Sequence, residues 1–224
     1  ACSSTHIIYV DDNDYKVKKR EIGTTTDVEL AQFNETQAKS ARFMISDDGL
    51  TWGYYNSSTF FIERLGGAAD GSNVGLEVSE IDGVSIANKL GLISLASNGN
   101  TAIFHYKDDA TTILRGVYEW DDTNKVFVSY SIADATAHAS KNTDRILISP
   151  NGNWILTKSG GDSGSLKLLQ KTGAETWTAR KTFAFTYSLS LVASILSFNM
   201  VFSDDETFFA IGNGSINAAH LTGE

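Results

Sequence analysis

Four short polar turns punctuate the chain at almost even intervals, and no other feature constrains its fold so much. They lie in ISDDGLTW, LASNGNTAIF, ISPNGNWIL and FSDDETFF, with their serines at 46, 97, 149 and 203, spaced by 51, 52 and 54. Self-similarity at a nearly fixed period marks a repeat architecture. Each turn holds Asp, Asn, Gly or Ser, which tolerate positive φ or bond their own backbone two residues on. Apolar runs flank every turn, so each reads as a β-hairpin.

The most complete copy is Arg145–Phe185. Arg145–Ser149 and Trp154–Lys158 are two apolar runs around the turn Pro150-Asn151-Gly152-Asn153. Ser165–Gln170 and Thr176–Phe185 follow as third and fourth strands, after the turns Gly160–Gly164 and Lys171–Glu175. Residues 41–81 and 90–132 read as further copies. Thr5–Ile22 is strand, Asp11–Asp14 turn, strand, and it lines up with Val117–Ile132, so it takes third and fourth places. Gly23–Lys39 reads as a long polar connection.

These units predict an all-β fold: a four-bladed β-propeller of four-stranded antiparallel blades, one domain over residues 1–224. The fourth blade is expected to join 198–224 to 5–22, so that N- and C-terminal strands close the ring and leave no raw edge. The segment Gly214–Gly223 resembles GSLKLLQKTG in the third-strand place of the complete copy, and so competes with Thr5–Val10 for one position.

The first-to-second-strand hairpins resemble those of WD40-like and FG-GAP-like propeller repeats. Ser46-Asp47-Asp48-Gly49-Leu50-Thr51-Trp52 is also similar to the Asp-box of sialidase-type propellers, a structural hairpin in that family. The resemblance covers most of the chain and implies a fold; it implies no catalysis. No WD dipeptide or Gly-His signature ends the repeats.

A net charge of −9 and a pI near 4.9 argue against a nucleic-acid partner, because phosphate affinity needs clustered cations. The one basic cluster, Lys16-Val17-Lys18-Lys19-Arg20, alternates as a strand does and reads as a solvated edge. Cys2 is the only cysteine, so no internal disulfide forms. No apolar run is long enough for a membrane-spanning helix. Sequons stand at Asn34, Asn56 and Asn213.

Acid pairs occur at Asp11/Asp12, Asp47/Asp48, Asp108/Asp109, Asp121/Asp122 and Asp204/Asp205. All fall in turns, and none provides the alternating oxygen ligands of a calcium loop, so they read as turn caps. His6, His105, His138 and His220 lack zinc-ligand spacing. Gly161-Asp162-Ser163-Gly164 is similar to the nucleophile stretch of trypsin-like proteases, but a Gly/Ser/Asp turn explains it. Trp52, Trp120, Trp154 and Trp177 read as packing residues in preference to sugar platforms.

No catalytic, cofactor-binding or metal-binding residue is therefore assigned, and no cofactor is implied. The expected function is a non-catalytic structural or protein-interaction module, not an enzyme, working in an assembly such as a virion, surface layer or extracellular filament. Its partners would be copies of itself or other assembly subunits. A glycan-binding lectin is the alternative, although the turns 47–49, 98–100, 151–153 and 204–206 differ in charge and show no repeated sugar site. A propeller-fold hydrolase is the second alternative.

Overall fold

The computed structural model describes residues 1–56, 58–88, 91–107, 113–134, 145–159, 163–186, 199–212 and 216–220. Among these residues the strands form five antiparallel sheets and one small hairpin, each sheet built in chain order. The first sheet is β1 (His6–Val10), β2 (Lys16–Glu21) and β3 (Asp27–Gln32), followed by helix α1 (Glu35–Ser40). The second is β4 (Arg42–Ile45), β5 (Thr51–Tyr55), β6 (Phe60–Arg64) and β7 (Val74–Val78). A hairpin of β8 (Glu80–Ile81) and β9 (Val84–Ser85) precedes the third sheet. That sheet is β10 (Gly91–Leu95), β11 (Thr101–Lys107), β12 (Ile113–Asp121) and β13 (Val126–Asp134). The fourth is β14 (Arg145–Ile148), β15 (Trp154–Ser159), β16 (Ser163–Gly173) and β17 (Thr176–Thr186); the fifth is β18 (Asn199–Phe202), β19 (Phe208–Gly212) and β20 (Ile216–His220).

The all-β expectation holds, and strands within 42–78, 91–134 and 145–186 form three four-stranded antiparallel sheets in chain order. The shared fourth blade is not matched. Thr5–Val10 and Ile216–His220 lie in separate sheets, so they do not compete for one place. The reason lies in the first residues. The Ile8 amide donates to the Ala1 carbonyl at 2.9 Å, and Cys2 bridges Ile7, which sets Ala1–Ser3 beside β1 as a short leading strand. Thr5–Ile22 thus supplies second and third strands, not third and fourth. The fourth is β3, within the stretch expected to be a connection. Its Asp27 and Glu29 carboxylates are satisfied by Arg20 and Lys16 on β2, so a polar sequence still makes a strand. The rest of that stretch is α1, started by a capping box in which Asn34 accepts from the Gln37 amide and Gln37 returns the bond.

Residues expected to extend the second sheet to Ile81 instead turn back as β8–β9. Asp82 and Gly83 both have positive φ there, at 51° and 72°, as a tight hairpin requires. The Asp108/Asp109 pair, His138, Asn213 and most of 186–197 fall outside the described residues.

Successive sheets pack face to face through apolar clusters. Ile8, Val17, Phe33, Ile45 and Trp52 join the first to the second. Met44, Tyr55, Phe60, Ile62, Phe104 and Tyr118 join the second to the third, with Ile81 and Ile86 from the hairpin beneath. Ile103, Val117, Ile146, Ile148, Ile155 and Leu169 join the third to the fourth. The leading strands β4, β10 and β14 lie side by side. The sheets are therefore layered, with first strands together and fourth strands outward.

Candidate functional site

The conspicuous shared geometry is a belt of turns at one end of the sheets. In the second sheet the Ser46 amide donates to the Thr51 carbonyl at 2.8 Å, and the Gly49 amide to the Ser46 carbonyl at 3.1 Å. Ala96, Thr101 and Gly99 repeat this in the third sheet, as do Ser149, Trp154 and Gly152 in the fourth. In the fifth, the Glu206 amide donates to the Ser203 carbonyl at 3.0 Å. The equivalent positions are therefore Ser46, Ala96, Ser149 and Ser203; Ser97, taken from sequence as the match, is one residue out of register. The first sheet has the same turn in shorter form. Its Ser3 amide donates to the His6 carbonyl at 2.8 Å, and the His6 amide to Ser3 Oγ at 3.0 Å, as Thr51 does to Ser46 Oγ.

Each turn glycine receives the residue that begins the second strand of the sheet before it. A Cβ on Gly49 would stand 2.5 Å from His6 Nε2, one on Gly99 2.8 Å from Thr51 Oγ1, and one on Gly152 2.5 Å from Thr101 Oγ1. All three have positive φ, which glycine adopts without steric penalty. The turns are also tied directly. The Asp47 amide donates to the Ser97 carbonyl at 2.9 Å, and the Asn98 amide to the Pro150 carbonyl at 3.1 Å. Ser4 donates to Asp47 Oδ1 at 2.9 Å, and Thr5 Oγ1 donates to the Asp47 carbonyl.

Members of the acid pairs serve turns, Asp48 and Asp205 within the belt and Asp11, Asp121 and Asp122 in other hairpins. Asp48 Oδ1 accepts from the Leu50 amide at 2.9 Å and Ser46 Oγ at 2.5 Å. Asp205 Oδ1 accepts from Ser203 Oγ, Thr207 Oγ1 and the Thr207 amide, and these donors hold its carboxyl down at about 2. Asp11 is lowered first by Lys18 and then by the Asn13 amide. Asp121 is lowered by Asn124, and Asp122 by Lys125. Among the described residues no group of three or more His, Cys, Asp or Glu converges on a point where a metal ion could sit.

The basic cluster is not an edge: β2 is the central strand of the three in the first sheet. One face carries Lys16, Lys18 and Arg20, paired with Glu29, Asp11 and Asp27 at 2.8, 2.6 and 2.7 Å. The opposite face carries Val17, fully buried, and Lys19, whose Nζ donates to the Gly49 carbonyl at 2.7 Å. Burial pushes Lys19 below its ordinary value. Arg20 holds Asp27 at about 2, below the ordinary value of 3.8. A carboxyl depressed by folding contributes stability above its unfolded value and loses it as pH falls through the folded one. The Asp27 contribution is therefore complete above pH 4 and disappears towards pH 2. Asp27→Asn should flatten the acid limb of an unfolding-versus-pH curve in that window; an unchanged limb would contradict the assignment.

Trp52, Trp120 and Trp177 pack with their indole N–H groups bonded, and Trp154 is buried at 9% exposure. Trp52 is 1% exposed and its Nε1 donates to Glu63 Oε2 at 2.8 Å. Arg64 lies 5.3 Å over the Trp120 ring, which meets Phe127 edge-on. Trp177 Nε1 donates to Tyr130 Oη, which donates to Glu119, itself held on both oxygens by Lys171. This relay ties the third and fourth sheets, and burial raises Tyr130. The buried Arg115 adds a bond to Thr157 Oγ1 at 3.3 Å across the same junction. Of the sequons, Asn34 is exposed, whereas Asn56 is buried and accepts from the Thr59 amide at 3.0 Å. His6 joins the belt; His105 and His220 lie on β11 and β20. Ser163 opens β16, while the two residues before it lie outside the described set.

No protein-family model and no curated protein matches the chain. Solved structures do. Hsv2 of Kluyveromyces lactis superposes with a TM-score of 0.60 at 10% identity, over 98% of this chain and 59% of that one. The WD40 domain of SCAP from fission yeast gives 0.55 at 10%, over 97% and 47%. A Bacteroides uniformis protein described as a candidate 6-phosphogluconolactonase gives 0.50 at 15%, over 98% and 65%. The chain thus spans under two thirds of the length of each. At such identities the likeness is one of fold: an all-β, propeller-like chain with WD40-type neighbours.

Proposed function

We propose that the chain is a non-catalytic β-propeller-type module that works by binding protein, and that its five sheets act as consecutive blades. The belt of turns carries this reading. It sets the exposed Asp48, Leu50, Asn100, Asn151, Asn153, Asp204 and Asp205 along one end of the molecule, while the backbone beneath is fixed by turn-to-turn bonds. A polar strip with one apolar anchor, Leu50 at 41% exposure, on a rigid base suits a protein partner with a basic or amide-rich surface. The WD40-type fold is consistent with that role and assigns no particular partner.

Assembly remains part of the reading, with the partner another subunit. Strand exchange through the C-terminal segment does not support it, because Ile216–His220 already pairs with β19. A photo-crosslinker at Asn100 or Asn151, applied in extract of the source cells, should yield a discrete protein adduct that Asp48→Lys abolishes. A crosslinker at the exposed Ser58, in the β5–β6 turn at the opposite end of the second sheet, should not. Equal labelling from both ends would refute the belt as the docking surface. Saturable binding on a glycan array, lost in the same variant, would favour the lectin instead.

A further inference from the structure

The ties between turns are of two kinds. At the two inner junctions they run from backbone amide to backbone carbonyl, Asp47 to Ser97 and Asn98 to Pro150, and depend on no side chain. At the last junction the Asn151 amide, in the turn position equivalent to Asn98, donates to Glu206 Oε1 at 2.5 Å. Asn153 Nδ2 donates to Glu206 Oε2 at 2.8 Å. Glu206 is 9% exposed and holds φ at 57°, where the equivalent residues are glycines. That backbone region is unfavourable for a residue with a Cβ. The two bonds of the carboxylate offset the strain and replace the backbone tie. Asp205 does not compete for the same donors, because its own oxygen is taken by Ser203 and Thr207.

We infer that Glu206 is a latch: its carboxylate holds the fifth sheet on the fourth, and its loss lets β18–β20 open as one unit while the preceding sheets stay folded. Sub-global opening of contiguous supersecondary units is a general property of folded chains. Here the Glu206 carboxylate contributes at the last junction, beside the buried Phe202. The first junction makes a natural comparison. It too is tied by a carboxylate, Asp47 to the Ser4 amide, but a buried cluster of Ile8, Val17, Phe33, Ile45 and Trp52 backs it.

Amide hydrogen exchange on the full chain tests this. Glu206→Leu removes both acceptors while keeping much of the bulk of the side chain. Exchange in β18–β20 should then rise roughly 10–100-fold, with rates in β4–β15 unchanged. Asp47→Asn should alter β1–β3 by less than about 3-fold, because the apolar cluster remains. Unchanged rates in β18–β20 would overturn the latch, and so would equal acceleration in every sheet. Should Glu206→Leu fail to fold, Asn153→Ala removes only one donor. It should give the same local pattern at smaller amplitude, and its absence there would also overturn the proposal.

Discussion

Replacing Phe60 by alanine should destabilise the chain by about 3–5 kcal/mol, the range for a fully buried aromatic whose cavity collapses incompletely. Phe60 is 0% exposed and sits where three elements meet. Its ring lies 5.5 Å from Phe104 on the third sheet and 4.7 Å from Tyr118, and Ile62 and Met44 complete the same cluster. The lost contacts therefore fall on a junction between sheets and not within one. Denaturant unfolding should show a lower midpoint with the slope little changed, as expected when stability falls without a change in the surface exposed. Phe60→Leu keeps most of the volume and should recover more than half of the loss. A cost near that of an exposed substitution, within about 0.5 kcal/mol, would mean that the second and third sheets are not packed as described.

Gly152→Ala should lose about 2–4 kcal/mol, combining left-handed backbone strain with overpacking. Gly152 has φ of 80°, and its Cβ would stand 2.5 Å from Thr101 Oγ1 and 3.0 Å from Thr101 Cβ. Thr101 is 5% exposed and leads β11, so it cannot swing away without dragging the third sheet from the fourth. Gly71→Ala separates the two contributions. Its φ is 81°, but nothing lies within 4 Å of the added carbon, so it should lose only the backbone part, about 1–2 kcal/mol. Combining Gly152→Ala with Thr101→Ala should cost less than the sum of the two, since the Oγ1 that the new Cβ would meet at 2.5 Å is removed. Strict additivity would show that the turn and the neighbouring strand do not touch.

The repeat was legible because its turns are chemical. Asp48, Asn98 and Asp205 each bond the amide two residues on, a bond their side chains can make in any hairpin, so the motif survives without knowledge of the partners. What could not be read was register across an irregular copy. The first turn is two residues shorter than the others, and His6 stands where Thr51 and Thr101 stand elsewhere. Ser3-Ser4-Thr5-His6 thus bears no likeness to the rest, and the sequence pattern places Thr5–Ile22 one strand too far along. Ser97 mimics the role of Ala96 for a similar reason: side-chain identity differs where backbone geometry is the same. β3 is not legible because its Asp27 and Glu29 owe their place to cations on β2, a pairing visible only once the strands are side by side.

The candidate site was half legible. Its residues were singled out as turns, and their aspartates as caps, from the sequence. Their joining into one belt depends on how the sheets stack, which no local pattern encodes. Glu206 was passed over for the same reason. The mark of its role is a glycine position filled by a carboxylate, which becomes meaningful only after Gly49, Gly99 and Gly152 are known to share that position.

The central claim is that the terminal segments belong to different sheets of one repeat series, and amide exchange in Ala210→Pro tests it most directly. Ala210 lies in the central strand of its sheet, paired with Val201 on β18 and Ala218 on β20, where proline removes a ladder donor and disrupts the strand. Protection should fall in β18–β20 and stay at its original level in β1, β2 and β3. Loss of protection in β1–β3 in step with β20 would contradict the account and return the two termini to a single shared sheet.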